Sequence, residues 1–319
     1  MKILYIFLPA ALILAVMLVG CNTGGDEDKA WDTTNLVGDG NYSVPSPDGD
    51  KVAFNLVEDD TAGIWIYDFA TRQPVRLYHG PHNSDYTWNP SSDTIAYSDP
   101  RGGIYSGIWK LDLNGGKTRL TDYGIYPDWS PDGSTIVFQN DAAGGISTVA
   151  ASGGMPQILT TAGFHPLYSP DGNTIAYYDA AGTVYSLHTI DAGGGNPVVQ
   201  TNGGPEFDWS PDGSELVFVS YETIPGTGGS YFVLRTMPLG GSSSLLWTGG
   251  TTPKWSPDGS RIIFEGISGD QVGGIFIIDP ITGAADRVTD QGYFPSFLES
   301  ADRIVFSYTN GIWYAERNR

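Results

Sequence analysis

From Trp31 onward, short apolar runs alternate with clusters of Gly, Pro, Asp and Ser. Runs rich in Val, Ile, Tyr, Phe and Thr, such as Gly107-Ile-Trp-Lys-Leu111 and Gly274-Ile-Phe-Ile-Ile278, recur to the end of the sequence. No long stretch carries the periodicity of an amphipathic helix. The pattern predicts an all-β chain, and the pattern repeats.

The tetrapeptide Ser-Pro-Asp-Gly stands at 46–49, 130–133, 169–172, 210–213 and 256–259. Degenerate copies are Asn89-Pro-Ser-Ser92 and Leu298-Glu-Ser-Ala301. The second residues fall at 47, 90, 131, 170, 211, 257 and 299, spaced by 43, 41, 39, 41, 46 and 42. A period near forty with several short strands per unit is that of a propeller blade. Each tetrapeptide reads as the hairpin turn joining strand A to strand B. Ser46, Ser130, Ser169, Ser210 and Ser256 can bond backbone ahead of them. Asp48, Asp132, Asp171, Asp212 and Asp258 accept the third turn position, and Gly49, Gly133, Gly172, Gly213 and Gly259 take the left-handed one. These aspartates are read as structural, not catalytic.

Strand C follows a variable loop, as in Gly63-Ile-Trp-Ile-Tyr67 and Gly311-Ile-Trp-Tyr314, and a Gly-rich turn leads to strand D, as in Lys117-Thr-Arg-Leu-Thr121. Seven units supply strands A to C, but only six are followed by their own strand D. Thr33-Thr-Asn-Leu-Val37 precedes the first turn as Lys117–Thr121 precedes the third. It is expected to complete the last blade. The predicted fold is a seven-bladed β-propeller of four-stranded antiparallel blades over 31–319, its ring closed by an N-terminal strand that protects an otherwise open edge.

This order of strands, with the phrase Lys110-Leu-Asp-Leu-Asn-Gly-Gly-Lys-Thr-Arg-Leu-Thr121, resembles the TolB-like propeller repeat family over nearly all of 31–319. The resemblance implies the fold and leaves the function open, because the same repeat serves unrelated proteins. TolB carries a further domain ahead of its propeller that has no counterpart expected here, so the Tol–Pal role is not carried over. One residue before the Ser column stand Pro45, Trp88, Trp129, Tyr168, Trp209, Trp255 and Phe297. An aromatic held at one position in almost every blade is read as packing between blades.

Ahead of the repeats, Lys2 precedes an apolar run from Ile3 to Val19. Leu18-Val19-Gly20-Cys21 resembles the lipobox of bacterial lipoproteins. That resemblance implies a signal peptide over 1–20, cleavage before Cys21, a diacylglyceryl group on its sulfur, and a flexible tether to residue 30. The propeller is then exported and lipid-anchored to a bacterial membrane, facing periplasm or exterior. Cys21 is the only cysteine, which excludes internal disulfides.

The formal net charge is −20. Such a surface repels phosphate backbones, which argues against nucleic acid, and attracts basic partners or cations. Function on a propeller sits where the copies differ. Four residues before the Ser column stand Tyr42, Asp85, Tyr126, His165, Glu206, Thr252 and Phe294. Two before it stand Val44, Thr87, Asp128, Leu167, Asp208, Lys254 and Ser296. By period two both sets share one strand face and are expected to line the channel mouth opposite the Ser-Pro-Asp-Gly turns. Of these, Tyr42, Asp85, Tyr126, Asp128, His165, Glu206, Asp208, Lys254 and Phe294 are the candidate binding residues. Loops between strands B and C add Glu58, Asp59, Asp60, Asp99, Asp141, Asp179 and Glu222.

Enzyme classes built on propellers fit poorly. A sialidase needs Asp and Gly separated by one residue, whereas Asp132 and Gly133 adjoin. A prolyl-oligopeptidase-like enzyme needs a Gly-x-Ser-x-Gly elbow, and none occurs. A propeller-type polyuronide lyase is the rival reading, and its metal would require several His. His79, His82, His165 and His188 are the four available. No catalytic residue, metal or cofactor is expected. The expectation is a monomeric envelope binding module for a protein or peptide, with a carbohydrate-active lyase as the alternative.

Overall fold

The computed structural model describes residues 31–318 apart from 57–61, 81–84, 100–106, 182–183, 205, 224–229, 268–272 and 310. The signal and tether, Cys21 included, lie outside the described residues, as do His82, Glu58, Asp59 and Asp60. Every regular element described is a strand, and the strands form seven antiparallel four-stranded sheets. In six sheets the order is that of the chain. Blade 1, for example, runs Asn41–Pro45 (A), Lys51–Leu56 (B), Gly63–Asp68 (C) and Gln73–His79 (D).

Blade 7 departs from that order. Its strands Tyr293–Phe297, Arg303–Tyr308 and Gly311–Arg317 are completed by Trp31–Val37. The register runs from Trp31 opposite Arg317 to Val37 opposite Ile312. The predicted closure is therefore present. A glycine opens strand C where the carbonyl of strand D presses on it. An added Cβ would lie 1.8 Å from the Tyr78 oxygen at Gly63 and 2.8 Å from the Val37 oxygen at Gly311. Val37 thus fills in blade 7 the place that Tyr78 fills in blade 1.

The turns hold as their residue types dictate. In blade 1 the Ser46 hydroxyl donates to Asp48 Oδ1 at 2.6 Å and accepts the Lys51 N–H at 3.0 Å, while Gly49 sits at φ 73°. In the degenerate blade 2 the Asn89 Oδ1 replaces the serine, accepting the N–H groups of Asp93 and Thr94 at 3.0 Å.

The core lies between blades. Ala53, Ile64 and Tyr78 of blade 1 pack on Trp88, Ile95 and Tyr97 of blade 2, and Val52 and Phe54 pack on Val305 and Ile312 of blade 7. The aromatic column is buried. Trp88 Nε1 donates to the Val44 carbonyl at 3.0 Å and Trp209 Nε1 to that of Leu167 at 3.4 Å, each reaching back to the preceding blade. Strands A of most neighbouring blades touch one another and so form the inner wall of the ring.

Candidate functional site

Strand A does not run straight to its turn. In blades 1, 3, 4, 6 and 7 the register with strand B slips before the last two residues of strand A. Asn41 faces Asn55, for instance, but Val44 faces Ala53. Two residues therefore oppose one, a β-bulge. The first bulge residue is left-handed: Tyr42 (φ 54°), Tyr126 (53°), His165 (51°), Thr252 (49°) and Phe294 (52°). None is glycine and Thr252 is β-branched, so each costs about 1–3 kcal/mol that the surroundings must offset. In four blades the next residue is Pro127, Pro166, Pro253 or Pro295, which has no N–H to leave unpaired in the bulge. In strands such as Ile125–Trp129 the residues four and two before the Ser column are half exposed, with buried residues between them.

Carboxylates reach across blade boundaries to take the backbone N–H groups at this wall. Glu206 Oε2 accepts the Thr252 N–H at 2.7 Å. Glu265 Oε1 accepts the Phe294 N–H at 2.7 Å and the Thr252 hydroxyl at 3.0 Å. Asp128 Oδ2 accepts the Tyr168 N–H at 2.8 Å. Asp208 Oδ2 accepts that of Trp255 at 2.8 Å, while its Oδ1 pairs with Lys254 Nζ at 3.2 Å. Asp128, Glu206 and Asp208 therefore rivet neighbouring blades. Glu265, on strand B, was not among the sequence candidates.

Four of the five bulge residues carry rings that pair across blade seams. Tyr42 and Phe294, about two-fifths exposed, pair across the seam of blades 1 and 7 with centroids 4.5 Å apart. Tyr126 and His165 stack at 3.6 Å between blades 3 and 4. The B and C strands of blades 4 and 5 are the longest such pairs described. They are Thr174–Ala181 with Val184–Asp191, and Glu215–Thr223 with Ser230–Pro238. Tyr185 packs edge-on to Phe164, and Tyr221 faces Phe232 with centroids 4.9 Å apart.

Burial shapes the charges. Asp128 is pushed up to about 7 by burial, against the Tyr168 N–H and Lys254, which favour its ionised form, and with Asp208 adding to the rise. Burial also raises Glu206 and Glu265, and Glu206 adds to the rise at Glu265. His165 is driven down to about 4 by burial, so it is neutral at physiological pH. Lys254 is the one lysine at this wall, and it is already paired.

The other sequence candidates disperse. Asp85 takes the Ser98 hydroxyl at 3.3 Å. Asp99 accepts the Tyr78 hydroxyl at 2.7 Å, Asp141 the Gly124 N–H at 2.7 Å, and Asp179 the Ala180 N–H at 2.7 Å. Glu222 takes Tyr231 and Arg235. His188 stacks on Tyr177 and bonds Ser186, apart from His165. Among the described residues no three His, Cys, Asp or Glu side chains group to hold a metal.

Seven four-stranded blades closed by a strand from the other end of the chain define a β-propeller of the repeat-built kind. A family model described as the TolB beta propeller domain matches residues 38–206, just over half of the 319 residues, and the chain belongs to that family. Among solved structures, an oligogalacturonate lyase in complex with manganese superposes with TM-score 0.71 at 16% identity, covering 89% of this chain and 93% of that one. TolB from Acinetobacter baumannii gives TM-score 0.55 at 18% identity, covering 86% of this chain and 66% of that one. At these identities the likeness is one of fold. The curated "Uncharacterized peptidase YuxL" of Bacillus subtilis (strain 168) is 37% identical over 103 residues, or 29% of this chain. The matched region spans only 16% of that relative's length.

Proposed function

We propose that this chain is a lipid-anchored binding module of the cell envelope, monomeric, which presents its channel mouth to a protein or peptide partner. The observation that carries the reading is the exposed Tyr42–Phe294 pair, held in left-handed backbone at the mouth. Strain of this kind persists where the surroundings impose a side-chain direction, and the side chains so directed differ from blade to blade while the turns repeat. Membership of the TolB propeller family supports a recognition scaffold. The Leu18-Val-Gly-Cys21 sequence supports attachment through Cys21.

Photo-crosslinking residues placed at 42 and 294 test it in envelope extracts. A discrete protein adduct, lost when the crosslinker is moved to the opposite face at Met155, is the expected result. The rival lyase reading is tested on the same preparation with polygalacturonate and manganese. Metal-dependent formation of unsaturated product would replace the binding-module reading. Cys21→Ser should abolish lipid labelling and release the protein from membranes; a variant as membrane-bound as the parent would overturn the anchor.

A further inference from the structure

The extended B and C strands of blades 4 and 5 carry exposed rings. Tyr185, Tyr221 and Phe232 are 37%, 46% and 43% exposed, and nothing among the described residues covers them. Tyr221 and Phe232 are cross-strand partners in the blade 5 hairpin, so one sheet face presents both rings. The Tyr221 ring packs beside Gly204, two residues ahead of Glu206: a Cβ added at Gly204 would lie 3.0 Å from its Cε2. Glu206 and Glu265 flank one residue, Thr252, the first taking its N–H and the second its hydroxyl.

Charge selects the occupant. Each of these glutamates has one oxygen tied to a neighbouring blade, by Thr252 for Glu206 and by Thr252 and Phe294 for Glu265. Among the described residues no Lys or Arg side chain pairs with either, and Lys254 is bonded to Asp208. A ring-lined face beside two carboxylates that make no ion pair suits a side chain with an apolar stem and a cationic head. The rings take the stem and the face of a guanidinium, and the carboxylates take the head.

We propose, on the footing of the binding-module reading, that this wall seats a basic peptide segment of the partner. An arginine or lysine side chain lies against Tyr221 and Phe232 and reaches down to Glu206 and Glu265.

The test uses three labelled peptides, penta-arginine, penta-glutamate and penta-serine, with binding read by fluorescence anisotropy. The basic peptide is expected to bind, and the other two to bind at least about tenfold more weakly. Replacing Tyr221 and Phe232 together by Ser leaves the net charge unchanged. It should cost the basic peptide about tenfold, whereas Met155→Ser on the far face should cost nothing. Glu206→Gln, which keeps an acceptor for Thr252, should weaken binding comparably. An unchanged affinity in the hairpin variant would reduce the effect to general attraction by an acidic protein and overturn the proposal, as would equal binding of penta-glutamate. A photo-reactive penta-arginine peptide provides a readout that needs no variant: adducts must map to 221–223 or 231–235. If envelope proteins crosslink at 42 or 294 while the basic peptide shows no preference, this inference fails and the binding-module reading stands. If the peptide seats at the wall but no envelope protein crosslinks, the reverse holds.

Discussion

The Glu265 carboxylate on strand B of blade 6 accepts the Phe294 backbone N–H of blade 7 at 2.7 Å. The same oxygen takes the Thr252 hydroxyl, so one half-buried side chain fixes two left-handed bulge residues. Glu265→Ala should cost about 1–3 kcal/mol in urea unfolding, the usual penalty for stranding a partly buried donor. Glu265→Gln keeps an acceptor and sheds a charge that burial disfavours, so it should stay closer to the parent. A glutamine variant as weak as the alanine one would mean the charge, not the acceptor, matters.

Asp128 makes stability depend on pH in the direction opposite to an ordinary salt-bridged carboxylate. Its pKa rises from 3.8 to about 7 on folding, chiefly through burial. Between those values the native state holds a proton that the unfolded state has lost, so its contribution falls as pH rises through this window and stays low above it. Lys254 and Asp208 face the group from blades 6 and 5 and act in opposite senses. Asp128→Asn should be more stable than the parent near pH 8 by at least about 1 kcal/mol, and the difference should vanish below about pH 4. Melting curves across that range check the sign; a variant less stable at pH 8 would refute it.

Gly63 sits under the Tyr78 carbonyl so closely that an added Cβ would lie 1.8 Å from it. Gly63→Ala should cost about 3 kcal/mol or more, because the clash is with backbone that cannot rotate away. Gly38, with nothing within 4 Å, is the control: Gly38→Ala should shift stability by less than about 0.5 kcal/mol.

Removing residues 31–37 strips strand D from blade 7, uncovers the edge of Gly311–Arg317 and removes Leu36 and Val37 from the blade 7–blade 1 core. The loss should reach several kcal/mol and bring concentration-dependent aggregation, seen together by thermal melts and light scattering. A truncated protein with the parent's melting temperature would contradict the closure.

The blade order, the turns, the buried aromatic column and the closing strand were all legible in the sequence, because each is a local pattern copied every forty residues or so. The bulge was not. A left-handed tyrosine or threonine is imposed by tertiary contacts, and no propensity announces it. The prolines at 127, 166, 253 and 295, each just after the bulge residue, were the available signal. The riveting role of Asp128 and Asp208 was equally hidden, since their backbone partners lie 40 and 47 residues away. The long blade 5 hairpin did leave a trace. The spacing from 211 to 257 is the largest in the series, and the extra length stands in its B and C strands.

Pairing Trp31 with Arg317 also sets the order in which the molecule can form. Residues 31–37 find their partner strand only once residues 311–317 have been synthesised, so the closing contact joins positions separated by nearly the whole propeller. Such a topology folds slowly. An interrupted chain that stops short of residue 311 leaves 31–37 without its partner strand and offers it to any other open strand, such as that of another incomplete copy. Synthesis through residue 317 is thus the step that protects the growing population from aggregation.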